Sequence, residues 1–178
     1  MNDPTIRRYE NFVFTPPPLK VEDYEYNTWT DFDILKTSYD ETNKANETII
    51  QRFLEYMKNL LNDDAVVNYI LAYFANRIQN PAKRNMVCLI LYGEEGDGKN
   101  RLFDTFKNIF GEKYFVEIET AKKMFGTHSC IEKEKLFICL NEARGKDNYE
   151  NSEILKGRIT TNTLLINPKG IQEFEIDN

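Results

Sequence analysis

Residues 93–100 read Gly93-Glu94-Glu95-Gly96-Asp97-Gly98-Lys99-Asn100. They follow an apolar run, 87–92, and precede residues of helical periodicity. Strand, glycine loop and helix N-terminus in that order are the layout of a phosphate-binding loop. Glycines let successive backbone N–H groups curl around phosphate oxygens without Cβ clashes. The start of the helix adds partial positive charge, and Lys99 adds a full one for terminal phosphates. The position after that lysine is ordinarily Ser or Thr, whose hydroxyl binds Mg²⁺. Here it is Asn100, whose amide oxygen is also a hard-cation ligand. The candidate phosphate-binding set is Gly93, Glu94, Glu95, Gly96, Asp97, Gly98, Lys99, Asn100 and Arg101. The plainer alternative is an ordinary glycine turn between a strand and a helix.

Working outward, 178 residues allow one domain with appendages, and a 41% hydrophobic content allows a core. Aromatics at 13% argue against disorder. A net charge of −6 argues against a chain coated in basic charge for duplex DNA. Met1-Asn2-Asp3-Pro4 does not open a signal peptide, and no apolar run approaches membrane-spanning length. The expected location is therefore the cytoplasm or a viral replication compartment, not the exterior. Cys88 and Cys139 fall in predicted buried strands, which suits free core thiols in a reducing compartment. With His128 the only histidine and no C-x-x-C, a zinc site is not expected.

Three segments are expected. Residues 1–45, with Pro16-Pro17-Pro18 and scattered aromatics, read as an extended strap. Those aromatics either stack on bases or pack against the helices that follow. Residues 46–82 read as a helical hairpin. Ile49, Ile50, Phe53, Leu54, Met57, Leu60 and Leu61 form one stripe, Asn62-Asp63-Asp64 breaks it, and a second helix runs over 65–79 before Pro81. Residues 83–178 read as the nucleotide-binding core: a helix over about 99–110 capped by Gly111, a strand at 114–118 and a short helix at 120–125. A buried parallel strand at 136–140, a helix at 152–160 and a β-hairpin at 163–176 with Asn167-Pro168-Lys169-Gly170 at its tip complete it.

Hydrolysis needs a second acidic strand end that helps hold Mg²⁺ and orients water. Leu136-Phe137-Ile138-Cys139-Leu140-Asn141-Glu142 supplies one, about 40 residues after Lys99. Glu142 is the candidate catalytic carboxylate beside Lys99, and Asn100, Asn141 and Glu142 are the candidate metal ligands. The alternative for Glu142 is a solvated glutamate after a core strand.

The loop LYGEEGDGKN, the strand LFICLNEA, the segment EILKGRIT and the hairpin LLINPKGIQEFEI together resemble superfamily 3 helicases of the poxvirus-type primase-helicase group of large DNA viruses, phages and plasmids. Gln79-Asn80-Pro81-Ala82-Lys83-Arg84 and Tyr26-Asn27-Thr28-Trp29-Thr30-Asp31-Phe32 look like that group's linker and entry segments. The resemblance covers about residues 20–178. It implies an α/β P-loop NTPase fold, an AAA+-like core behind a small helical collar. It also implies ATP and Mg²⁺ as cofactors, a homo-hexamer on single-stranded DNA, and a primase domain on the same polypeptide. In that family's terms Lys99 is the Walker A lysine and Glu142 the Walker B glutamate. Lys169 is the DNA-tracking lysine; without the resemblance it reads as a solvated turn lysine. The family's sensor asparagine and arginine finger would lie beyond Asn178, so a C-terminally truncated fragment, inactive in isolation, is expected. The alternatives are a non-catalytic nucleotide-binding or interaction module and a small nucleotide or nucleoside kinase.

Overall fold

The computed structural model describes residues 7–38, 44–119, 131–141, 152–166, 170 and 172–177. The predicted helix at 120–125, Cys130, Glu142 and Lys169 lie outside the described residues. The chain divides into two units, Met1–Asn85 and Met86–Asn178.

The first unit opens with two three-residue strands, β1 (Asn11–Val13) and β2 (Glu25–Asn27), paired in parallel with Phe12 opposite Tyr26. So short a ladder needs help from side chains. The Asn27 amide provides it by accepting from the Thr15 and Trp29 N–H groups (both 3.0 Å) and donating to the Thr15 carbonyl (2.9 Å). An Asn side chain that presents both a donor and an acceptor extends the ladder by one step. A 3₁₀ turn follows at Asp33–Lys36, after the buried Phe32. The rings of Phe14, Trp29 and Phe32 pack on one another in series, at 5.7 Å and 5.2 Å.

Helix α1 (Lys44–Leu61) and helix α2 (Asp64–Gln79) form a pair, α1 beginning two residues earlier than its apolar stripe suggests. Asn62 takes φ 52°, a left-handed conformation that asparagine tolerates, and so ends α1. Asp63 caps α2, its carboxylate accepting from the N–H groups of Ala65 (2.7 Å) and Val66 (3.3 Å). Val67, Ile70, Phe74 and Arg77 are the buried positions of α2, at helical spacing. Past Pro81 the chain folds back on the helix. Arg77 donates to the Lys83 carbonyl, and the Asn85 amide donates to the Tyr73 carbonyl (3.1 Å) while accepting from Asn76 (2.7 Å).

In the second unit, helix α3 (Lys99–Phe110) buries Leu102, Phe106 and Phe110, four residues apart on one face. Gly111, at φ 97°, ends it and turns the chain into β3 (Phe115–Ile118). Strand β4 (Phe137–Leu140) pairs with β3 in parallel, Phe115 opposite Phe137. The Phe137 ring lies 4.4 Å from that of Phe110 and 5.7 Å from that of Phe115, so α3 packs on this sheet. Tyr114, almost fully buried, holds the start of β4 through its carbonyl, which accepts from Leu136 (2.9 Å) and Phe137 (3.0 Å). Helix α4 (Ser152–Thr160) precedes the antiparallel pair β5 (Thr163–Ile166) and β6 (Phe174–Asp177).

This architecture corrects the expected P-loop NTPase core. Among the described residues the sheets are three separate two-stranded pairs, and β3 pairs only with β4. The run 87–92 forms no strand. Ile90 is 83% exposed and the Tyr92 side chain is fully exposed. An apolar run becomes a buried strand only where neighbours on both sides satisfy its backbone, and no strand among the described residues forms a ladder with this one. Cys88 is accordingly exposed rather than in the core, whereas Cys139 is buried as expected.

Candidate phosphate-binding site

Loop 93–98 joins the extended run to α3. Gly96 and Gly98 take φ 92° and 89°, values that a residue with a Cβ rarely adopts. Gly93 is constrained by space: a Cβ there would stand 2.5 Å from Asp97 Oδ2 and 3.2 Å from Lys99 Nζ. The loop thus closes on itself around the Lys99 ammonium, which donates to the Glu94 carbonyl and lies 3.4 Å from Asp97 Oδ2. Gly98 is the N-cap of α3, no side chain caps the helix, and no acid occupies its first turn. The positive end of α3 therefore faces no competing side-chain anion of its own first turn. Asn100 is exposed at the start of the helix and Arg101 N–H donates to the Gly98 carbonyl (2.9 Å). What this arrangement can do chemically is hold an anion: a helix start, positive-φ glycines and a cation with a weak internal partner converge on one loop.

Of the sequence-predicted residues, the structure brings together Gly93, Glu94, Asp97 and Lys99. It places Asn141 in a different set of contacts. The Asn141 N–H donates to the Ile118 carbonyl (2.8 Å), its amide nitrogen donates to Glu117, and its amide oxygen accepts from the Cys139 thiol (3.6 Å). Those contacts tie the end of β4 to the end of β3. Burial pushes the Cys139 thiol up to about 12, with the Glu117 and Asp104 carboxylates adding to the rise. Asp104 lies on α3, so both charges bear on the thiol from the sheet and from the helix packed on it.

Sequence reasoning missed the pair Glu132–Arg158. Glu132 is only 6% exposed, and one carboxylate oxygen accepts from Arg158 of α4. Its other oxygen is buried without a hydrogen-bond partner. Burial also lowers the pKa of the Arg158 guanidinium. Nothing local in the sequence marks two charges 26 residues apart as partners. Sequence reasoning missed Asp97 as the counter-charge of Lys99 as well, although a carboxylate two residues before that lysine was a visible signal.

Residues 91–178 match the model of a family described as a family of unknown function, DUF5906. A DNA primase-polymerase of Nitratiruptor phage NrS-1 is 32% identical over 139 residues, covering 72% of this chain and 19% of that protein. An apo structure of the NrS-1 C-terminal region superposes with a TM-score of 0.72 at 24% identity, over 94% of this chain and 40% of that one. A second, the A form of the apo C-terminal region, gives 0.70 at 26% identity with the same coverage. The chain spans about a fifth of the length of the curated relative it matches. Among the described residues no helix is long and apolar enough to cross a membrane. The similarity to a primase-polymerase corrects the superfamily 3 helicase resemblance, and with it the ATP-hydrolysing motor and the hexameric ring.

Proposed function

We propose that this chain is a segment of a DNA-replication enzyme of the primase-polymerase kind, and that loop 93–101 holds the phosphates of a nucleoside triphosphate. The first half of the reading is supported by the likeness to the NrS-1 DNA primase-polymerase. Template copying consumes nucleoside triphosphates, so a triphosphate is the substrate class such a protein must hold. The observation that carries the second half is the Lys99 ammonium enclosed by the loop, on the Glu94 carbonyl and beside Asp97. A triphosphate supplies more negative charge than one half-exposed aspartate, so it outcompetes Asp97 for Lys99. The glycines keep the loop backbone open to the phosphates, and the uncapped start of α3 adds its dipole. Mg²⁺ bound with the triphosphate would neutralise part of its charge, and Asn100, exposed beside Lys99, is the side chain whose amide oxygen would help hold it.

The experiment is a titration of a fluorescent nucleoside triphosphate against the wild-type chain and Lys99→Ala. Loss of a charge-assisted contact costs about 1.5–3 kcal/mol, so affinity falls about tenfold or more. Equal affinities overturn the phosphate-loop reading.

A further inference from the structure

The β1–β2 ribbon carries an exposed aromatic surface, distant in sequence from loop 93–101. Phe12 and Tyr26 are register partners, so they share one face of the ribbon. Their rings meet edge to face at 5.4 Å, and Tyr9 meets Tyr26 in the same way at 5.2 Å. In most folds such a cluster is core. Here Phe12 is 79% exposed, Tyr26 45% and Tyr9 38%. Arg7 and Arg8 immediately precede the first ring, both exposed, and neither makes an ion pair among the described residues. The acidic groups of the same segment are Glu10, Glu22, Asp23 and Glu25, and Glu25 is engaged with the Glu22 N–H (3.1 Å).

We infer that Tyr9, Phe12 and Tyr26, with Arg7 and Arg8, form a stacking site for single-stranded DNA. The choice of DNA as occupant rests on the replication reading above; the existence of the surface does not. Exposed rings beside exposed guanidinium groups match unstacked bases joined by phosphates, since every base has a face to stack and every phosphate a charge to pair. Duplex DNA does not fit. Its bases are already stacked, and binding its backbone needs many more cations than the three, Arg7, Arg8 and Lys20, of a segment that also carries four carboxylates. The acids make stacking the main source of affinity and keep the salt dependence shallow.

The experiment measures anisotropy of a short fluorescein-labelled oligothymidylate against the full 178-residue chain at several salt concentrations. Phe12→Ala and Tyr26→Ala are each expected to weaken binding about fivefold to a hundredfold. Tyr26→Phe, which keeps the ring, binds as wild type. Arg7→Ala with Arg8→Ala lowers the salt slope by roughly 0.7 per lost phosphate contact. Phe12 is mostly solvent-exposed, so its truncation leaves the fold intact, as circular dichroism would verify. A wild-type chain with no affinity for oligothymidylate overturns the proposal, as does a folded Phe12→Ala variant that binds as tightly as wild type. Self-association through these rings, abolished by Phe12→Ala, would reassign the surface to a second copy and overturn it too. The labelled triphosphate reads the loop and the oligonucleotide reads the ribbon, so the two readings fail separately.

Discussion

Lys99 Nζ lies 3.4 Å from Asp97 Oδ2, so the cation offered to a phosphate already has a carboxylate beside it. Both side chains are partly exposed, and such a pair contributes only about 0.2–1 kcal/mol. Its effect on an incoming anion is larger in kind than in size. Asp97 both occupies Lys99 and repels phosphate. Asp97→Asn removes the charge and keeps the shape. Triphosphate affinity is expected to rise by up to about fivefold, with a steeper gain at low salt, where the repulsion is unscreened. A variant that binds more weakly than wild type would show that Asp97 supports the bound loop instead of opposing it.

Two glycines of the loop separate space from backbone conformation. At Gly93 a methyl group would fall 2.5 Å from Asp97 Oδ2, so Gly93→Ala must push the carboxylate away from Lys99. At Gly96 nothing lies within 4 Å of the added carbon, and only the φ of 92° resists it. Gly96→Ala is expected to disfavour the closed loop by about 1–2 kcal/mol and to weaken triphosphate binding accordingly. Gly93→Ala, whose clash is with a movable side-chain end and moves the competing Asp97 carboxylate off Lys99, is expected to leave affinity unchanged or raise it. Titrations of both variants check the order; the reverse order would show that the bound loop does not keep these dihedrals.

The sequence pattern located α2, α3, β3 and β4 to within a few residues because each buries side chains whose spacing is visible locally: Leu102, Phe106 and Phe110 are one such face, and Phe137 and Cys139 another. It failed where the outcome depends on partners. The run 87–92 has the composition of a buried strand, but pairing is a property of neighbours, and no strand among the described residues forms a ladder with it. The glycine loop is legible for the same reason that it misled. Its glycine and lysine pattern is local, whereas the fold around it is not, and a loop of this type does not name its enzyme class. Strands β1 and β2 are too short to show an alternation, and their stability comes from Asn27, which looks like any other turn residue in the sequence.

The buried pair Glu132–Arg158 ties the residues before β4 to α4, and its two members are not equivalent. Glu132 is nearly inaccessible, with one oxygen already lacking a partner, while Arg158 reaches partly to solvent. Arg158→Met removes the only hydrogen bond found for the Glu132 carboxylate among the described residues and leaves a buried charge. The expected loss is about 3–5 kcal/mol, read as a lower urea midpoint. The double variant Arg158→Met with Glu132→Gln removes the charge as well and should recover part of that loss. A single variant with an unchanged midpoint would mean that the pair is solvated in solution.

Cys139 and Cys88 should differ sharply in reactivity. The Cys139 thiol is held up at about 12, by burial first and then by Glu117 and Asp104, so almost none of it is thiolate at mildly alkaline pH. Cys88 is exposed. Iodoacetamide followed by peptide mass mapping should therefore label Cys88 in the native chain and leave Cys139 unmodified until the protein is unfolded. The same shift has a consequence for stability. Below the ordinary thiol value of 9.0 both folded and unfolded Cys139 are protonated, and the group makes stability independent of pH. Between 9.0 and about 12 the unfolded chain releases the proton while the folded chain keeps it, so stability falls as pH rises. Cys139→Ala should lose that part of the alkaline slope, measured by urea unfolding across this window. A mutant with the wild-type slope, or rapid native labelling of Cys139, would show that the thiol at the end of β4 is open to water.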